Sequence, residues 1–111
     1  MSVVADGAVI ERLYRTIASR KGGDTTVSYT AKLFAKGTNK IAQKFGEEAV
    51  ETVIAACQGQ PADVVGESAD VLYHLLVLWA NAGVTPADVY AELTRREGTS
   101  GVDEKRSRHK T

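Results

Sequence analysis

Apolar residues recur at intervals of three and four positions through most of the chain, which is the spacing of one face of an α-helix. The pattern starts in residues 9–20, where Val9, Ile10, Leu13 and Ile17 share a face. It also predicts a short helix ending at Lys36 and helices over residues 40–58, 62–82 and 86–97. Because no segment alternates between apolar and polar residues, we predict no strands. The expected fold is all-α, an antiparallel helical bundle of four to five helices.

Glycine, proline and small polar residues mark the ends of these predicted helices. Ser28 is placed to cap the short helix and Gly37 to end it. Either Thr38 or Asn39 is expected to cap the long helix that follows. Pro61 is expected at the first position of the next helix, after a tight glycine-containing connection.

Composition supports one globular domain over residues 1–111, because 43% of the chain is hydrophobic and 25% is charged. Residues 98–111 hold glycine, serine and charge without an apolar period, so we predict a polar C-terminal tail in loop conformation. The formal net charge is zero, which gives no reason to expect nucleic acid or an anionic membrane as a partner.

The sequence is typical of a protein of the reducing cytoplasm. Its single cysteine, Cys57, cannot form an internal disulfide, and we interpret it as a small hydrophobic residue of a helix. The first residues lack the basic start and the unbroken apolar stretch of a signal peptide. The longest apolar run, after Asp70, is interrupted by His74 and is far shorter than the ~20 residues of a membrane span. We therefore expect a cytoplasmic location and no membrane partner.

Five acidic residues of the two longest predicted helices are spaced so that a hairpin would bring them together: Glu47, Glu48, Glu51, Glu67 and Asp70. Glu51 and Glu67 lie eight residues before and after Gly59, and Glu48 and Asp70 lie eleven residues from it. At the rise of an α-helix, the two pairs stand roughly 12 and 16 Å from the turn. We predict a box of four carboxylates between the helices, with Glu47 on its edge.

Carboxylates crowded between apolar helices cannot all stay ionised without compensation. Either several of them take up protons, or a divalent cation binds among them. Mg²⁺, or alternatively Mn²⁺, suits a site made of carboxylate oxygens. The alternative is two solvated acidic helix faces that never meet.

The spacing Glu48-x-x-Glu51 followed by Glu67-x-x-Asp70 resembles the signature of the MazG-like, all-α nucleoside triphosphate pyrophosphohydrolases. Four longer segments resemble one branch, the phosphoribosyl-ATP pyrophosphohydrolases of histidine biosynthesis: "SYTAKLFAKG", "KIAQKFGEEAVETVIAA", "ESADVLYHLLVLW" and "RREGTSGVDEKRSR". The likeness covers residues 10–108. It implies cleavage of phosphoribosyl-ATP to phosphoribosyl-AMP and pyrophosphate, with Mg²⁺, by a dimeric cytoplasmic enzyme. It also places the metal on Glu48, Glu51, Glu67 and Asp70.

Other side chains have roles that the sequence leaves open. Glu47 either orients the attacking water as a base or supports the metal from outside its ligands. Lys40 and Lys44, in a run of lysines spaced by four from Lys32, are candidates for binding substrate phosphates. His74 either hydrogen-bonds a ligating carboxylate or is a satisfied core histidine. Basic residues near the C-terminus either close over the substrate or keep the chain soluble: Arg95, Arg96, Lys105 and Arg108.

Three other functions use parts of the same pattern. A house-cleaning pyrophosphohydrolase of non-standard nucleoside triphosphates would have the same carboxylate box. A di-iron bundle would need paired Glu-x-x-His motifs, and the helix with Glu48 and Glu51 contains no histidine. A non-catalytic helical interaction module would leave the five acids unexplained.

A homodimer is expected from the apolar residues that follow one another in residues 72–79. Successive helical residues point about 100° apart, so one neighbouring helix covers only part of such a helix. A second copy of the chain would cover the rest, and the resemblance implies the same dimer.

Overall fold

The computed structural model describes residues 4–108, and this part of the chain contains six α-helices and no strand. The helices are α1 (Ala8–Ser19), α2 (Tyr29–Lys36), α3 (Thr38–Cys57), α4 (Pro61–Ala82), α5 (Pro86–Arg95) and α6 (Gly101–Arg108). The predicted all-α class is therefore confirmed. None of the described helices is both long and apolar enough to cross a membrane. Residues 1–3 and 109–111, at the two ends of the predicted domain, lie outside the described residues.

The two longest helices, α3 and α4, pack against each other along the hairpin that the acid spacing required. Gly59 lies in the turn with a φ of 71°, a conformation that costs a glycine little. Pro61 is the first residue of α4, as predicted, and Gly83 closes that helix in the left-handed conformation. The hairpin positions every acidic residue of the predicted box.

The junction between α2 and α3 differs from its prediction. Gly37 both ends α2 and precedes α3, with a φ of 91°, and no side chain caps α3. The predicted caps Thr38 and Asn39 are wrong, because both residues are already helical. A glycine at positive φ lets the chain change direction within one residue, so no separate cap is needed. The Ser28 cap of α2 is confirmed, since its hydroxyl accepts from the Ala31 N–H at 3.0 Å.

The core lies where α1 and α2 pack against the end of the hairpin that is far from the Gly59 turn. Its buried side chains come from four helices: Ile17, Leu33, Phe34, Ile41, Leu76 and Val77. Leu76 and Val77 are fully buried within one chain. A second chain is therefore not needed to cover these two residues, because the short helices α1 and α2 already cover them, and the predicted interface could include only other parts of residues 72–79.

Apolar exposure is found instead on other parts of the hairpin. Val50, Val53 and Ile54 of α3 are 50–61% exposed, and Val65 and Leu72 of α4 are 71% and 44% exposed. Their spacings, of three, four and seven residues, place them on stripes along each helix. Cys57 at the end of α3 is also exposed, so it lies in the predicted helix but outside the core.

The C-terminal part is more ordered than predicted. Thr85 and Asp88 form a capping box at the start of α5, which ends at Arg95. Helix α6 then occupies Gly101–Arg108, where a tail in loop conformation was expected. The helix count of four to five is therefore wrong for residues 4–108. A side-chain cap supports α6, because the Ser100 hydroxyl accepts from the Asp103 N–H at 3.0 Å.

Candidate metal centre and phosphate pocket

Three of the four predicted metal ligands meet between α3 and α4. One carboxylate oxygen each of Glu48, Glu67 and Asp70 lies within 4.8 Å of the other two. Glu48 and Glu67 are half-buried and Asp70 is exposed at the rim. Equal distances from the Gly59 turn bring Glu48 level with Asp70, as the hairpin arithmetic predicted.

Glu51 lies outside this set of mutually close oxygens, although its charge still acts on the cluster. Partial burial raises the pKa of the Glu67 carboxyl, and the nearby carboxylates of Glu51, Asp70 and Glu48 raise it further. A carboxyl in these surroundings gains from any positive charge that arrives, whether a proton or a metal ion.

The donor set fits a hard divalent cation. Such ions bind carboxylate oxygens at about 2.0–2.6 Å, so oxygens sharing one ion stand within about 5 Å of each other. The three oxygens already meet that condition. Within residues 4–108, no arginine or lysine forms an ion pair with Glu48, Glu67 or Asp70. The cluster therefore has the composition and the unbalanced charge of a cation site.

Glu47 contacts two residues of the preceding turn of its own helix. Its carboxylate accepts from Gln43 Nε2 at 2.9 Å and lies 3.3 Å from Lys44 Nζ. These two contacts, the hydrogen bond from Gln43 first, lower the pKa of the Glu47 carboxyl. The side chain is thus an ionised acceptor beside the cluster, one residue before Glu48.

His74 is a satisfied core histidine, one of the two roles that its position on α4 allowed. It is buried, with Nδ1 2.8 Å from the backbone carbonyl oxygen of Asp70 and Nε2 3.1 Å from the Tyr29 hydroxyl. A carbonyl oxygen only accepts, so we assign the ring hydrogen to Nδ1, and Nε2 then accepts from Tyr29. The histidine fixes the backbone at Asp70 and makes no bond to its carboxylate.

A cavity of about 210 Å³ opens between α2 and α3 on the N-terminal side of the acidic cluster. We call it the lysine pocket, after the side chains that line it: Tyr29, Lys32, Leu33, Lys36, Lys40 and Lys44. Both predicted phosphate ligands, Lys40 and Lys44, belong to it. In the described residues only Lys44 of these four lysines has a carboxylate within 4.0 Å, that of Glu47.

Tyr29, Lys32 and Lys36 are lining residues that the predicted site did not include. The signal was present, because the lysines recur every four residues from Lys32 to Lys44. The helix break at Gly37 made that period uninterpretable, since the turn at a glycine can take the next helix in many directions. The structure keeps the lysines of α2 and α3 around one cavity despite the break.

The arginines near the C-terminus, which are partly exposed, share one buried carboxylate as their partner. Glu104 of α6 is 4% exposed, and its two oxygens each accept from Arg95 Nη2 at 2.8 Å. Arg108 Nε lies 3.3 Å and Arg96 Nε 3.6 Å from the same carboxylate. Both Arg95 and Arg96 also pair with Glu92 of α5. We call this group the arginine clasp, and it joins α6 to α5.

The chain is similar to a known family along most of its length. The profile of the family described as phosphoribosyl-ATP pyrophosphohydrolase matches residues 10–97. A phosphoribosyl-ATP pyrophosphatase of Paramagnetospirillum magneticum is 68% identical over 105 residues, covering 95% of this chain and 96% of the relative. A relative of the same name from Azospirillum brasilense is 62% identical, over 91% of this chain and 91% of the relative. Another, from Parvibaculum lavamentivorans, is 60% identical, over 96% of this chain and 97% of the relative.

Proposed function

The chain belongs to the phosphoribosyl-ATP pyrophosphohydrolase family, and we propose that it hydrolyses phosphoribosyl-ATP to phosphoribosyl-AMP and pyrophosphate in histidine biosynthesis. It is a hydrolase of a phosphoanhydride bond. This role in amino-acid biosynthesis and the reduced single cysteine support a cytoplasmic location. The observation that best supports this proposal is that the residues matched by the family include all three clustered acids, Glu48, Glu67 and Asp70.

Mg²⁺ is the proposed cofactor, with Mn²⁺ as a substitute, and Glu48, Glu67 and Asp70 are its proposed ligands. Glu51 joins them by a change of side-chain rotamer or acts on the ion from outside the ligands. When bound, the ion neutralises charge on the phosphate oxygens and makes a bound water more acidic. The ligands contribute by holding negative charge in a half-buried place, which raises their affinity for a cation.

The remaining residues position the reactants. Glu47 is the proposed acceptor of the water's proton, since it is next to Glu48 and is kept ionised by Gln43 and Lys44. Lys44 and Lys40 bind phosphate oxygens through charge-assisted hydrogen bonds. His74 holds the backbone of Asp70, from which the carboxylate extends to the cluster.

A comparison of substrates tests this function directly. The purified protein is given phosphoribosyl-ATP and a panel of standard and non-standard nucleoside triphosphates, and kcat/KM is measured for each. We expect phosphoribosyl-ATP to be preferred, with phosphoribosyl-AMP and pyrophosphate as products. Preference for a non-standard triphosphate would instead indicate a house-cleaning enzyme. If no substrate were hydrolysed with Mg²⁺ or Mn²⁺, the result would favour a non-catalytic helical interaction module.

We also propose a homodimer, which would cover the exposed apolar stripes of α3 and α4. Val50, Val53, Ile54 and Val65 are each at least half exposed in the single chain, and Leu72 extends the same side of α4. Symmetric pairing of this face would remove it from water. Sedimentation at micromolar concentration should give twice the 11.9 kDa mass of the chain, and Val53→Glu should shift the protein toward monomer. A monomeric, fully active wild-type protein would contradict this proposal.

A further inference from the structure

We propose that the lysine pocket binds the phosphate carried by the second ribose of phosphoribosyl-ATP, and so distinguishes this substrate from ordinary nucleoside triphosphates. The inference rests on the proposed function for the identity of the substrate. It assigns a specificity role to Lys32 and Lys36 in addition to Lys40.

The charge of the pocket requires an anion. Four ammonium groups surround one cavity of about 210 Å³, and within residues 4–108 three of them, Lys32, Lys36 and Lys40, have no carboxylate within 4.0 Å. A phosphate in the cavity would be attracted by each of these ammonium groups. Lys40 also lies in the first turn of α3, where the helix dipole adds positive potential.

The position of the pocket selects which phosphate it receives. Lys40 precedes Glu48 by eight residues, which is about 12 Å along the axis of α3. Lys32 and Lys36 belong to a different helix from the acidic residues. The phosphoanhydride to be cleaved must lie at the acidic cluster, where a cation offsets its charge. Phosphoribosyl-ATP has one more anionic group, at the opposite side of its adenine, and the lysine pocket provides an anion-binding site apart from the acidic cluster.

The walls of the pocket also suit a sugar phosphate. Leu33 is buried beneath the lysines, and the ring of Tyr29 forms one side. That ring is held in place, because its hydroxyl donates to His74 and its face stacks on Tyr73 with centroids 6.4 Å apart. A fixed aromatic wall beside mobile ammonium groups offers apolar contact to a ribose and charge to its phosphate.

Two measurements on one double variant test this assignment. In Lys32→Met/Lys36→Met we measure kcat/KM for phosphoribosyl-ATP, and the inhibition constant of ATP, which lacks the second ribose phosphate. We expect kcat/KM to fall by about tenfold or more, the loss typical of removing charge-assisted hydrogen bonds. The inhibition constant of ATP should stay within about twofold of wild type, because its triphosphate binds at the acidic cluster. Arg15→Met/Arg20→Met, which removes two exposed cations away from the pocket, controls for the change in overall charge.

Two results would overturn the assignment. If the inhibition constant of ATP rises as much as kcat/KM falls, the lysines bind the triphosphate. If neither changes while the protein melts like wild type, the pocket takes no part in substrate binding. Failure of the proposed function would be visible earlier, as a wild-type protein that does not prefer phosphoribosyl-ATP over other triphosphates.

Discussion

Two groups of carboxylates in this chain have opposite surroundings. In the arginine clasp, Glu92 and Glu104 are matched by Arg95, Arg96 and Arg108 at 2.6–3.6 Å. In the acidic cluster, Glu48, Glu67 and Asp70 lie close to one another, and none of them forms an ion pair with an arginine or lysine among the described residues. The pKa values move in opposite directions as a result. Hydrogen bonds from Arg95 and Arg96 lower the pKa of Glu92 to about 2, whereas burial and like charge raise the pKa of Glu67.

The difference distinguishes charged residues that stabilise the fold from charged residues that are suited to binding a ligand. A carboxylate matched by arginines has its interactions complete in the folded chain and joins α6 to α5. An unmatched cluster costs the fold free energy, which a bound cation recovers. The lysine pocket is the same case with the sign reversed. Both groups border α3, where we propose that one substrate and its cation use them together.

The largest effect is expected from removing a carboxylate of the acidic cluster. Glu48→Gln, Glu67→Gln and Asp70→Asn should each lower kcat by about a thousandfold or more, since each deletes a proposed metal ligand. The melting temperature without metal should not fall, because removing one of several crowded acids relieves repulsion. Asp63→Asn changes an acid of the same helix that lies outside the cluster, and it should keep wild-type turnover. Near wild-type activity at saturating Mg²⁺ would remove that residue from the proposed site.

Much of this cluster could be predicted from spacing, but not which of its predicted members meet. Equal distance from a turn fixes the height of a residue along a hairpin but not its direction around the helix. Glu51 follows Glu48 by three residues, so it points about 60° away from Glu48 around α3. Glu67 and Asp70 are separated by the same angle and both reach the cluster, so the spacing alone does not decide which carboxylates meet. The lysine pocket was harder to predict, because the backbone angle at Gly37 decides how α2 meets α3, and a sequence does not contain that angle.

Metal binding should stabilise the unmatched cluster and leave the matched one unaffected. A ligand specific to the folded state adds about 2.7 kcal/mol at a hundredfold excess over its Kd. Millimolar Mg²⁺ or Mn²⁺ should therefore raise the melting temperature of the wild type. The rise should disappear in Glu67→Gln and persist in Glu92→Gln. An unchanged melting curve over the whole titration, with substrate absent, would mean that the acidic cluster binds no metal by itself.

Helix α6 and its arginine clasp could not be predicted from hydrophobic periodicity, because α6 has almost no apolar face. Its eight residues, GVDEKRSR, contain a single hydrophobic side chain, Val102, which is exposed. Ion pairs to Glu104 and the Ser100 cap hold this helix instead of hydrophobic burial. A hydrophobic period reports helices that pack by their apolar side chains, so it found α1 to α5 and missed α6.

Breaking the clasp at its buried member should destabilise the fold moderately. Glu104→Gln leaves three arginines facing a neutral amide, and we expect a loss of about 2 kcal/mol in the free energy of unfolding. This is below the 3–5 kcal/mol typical of a fully buried pair, since the arginines are partly exposed and screened. Urea unfolding measures the loss, with Glu97→Gln, an exposed acid of the same segment, as the control. Equal stability of the two variants would mean that α6 contributes nothing to the folded state.

The smallest effect should appear in the pH dependence of the exposed member of the clasp. The pKa of Glu92 is about 2 in the folded chain against an ordinary value of 4.5, so its ionised form stabilises the fold. This contribution is complete above pH 4.5 and disappears as the pH falls toward 2. The stability difference between wild type and Glu92→Gln, measured by urea unfolding, should therefore be constant near neutrality and shrink below pH 4.5. Arg95 can still bind Glu104 when Glu92 is protonated, which keeps the effect small.

Glu67 should give the opposite sign without metal: because its pKa is raised, Glu67→Gln should be more stable than wild type at pH 7, and acid should remove that advantage. As the pH falls, the stability of wild type relative to Glu92→Gln should decrease, and its stability relative to Glu67→Gln should increase. If both relative stabilities changed in the same direction, the contrast between matched and unmatched carboxylates would be wrong.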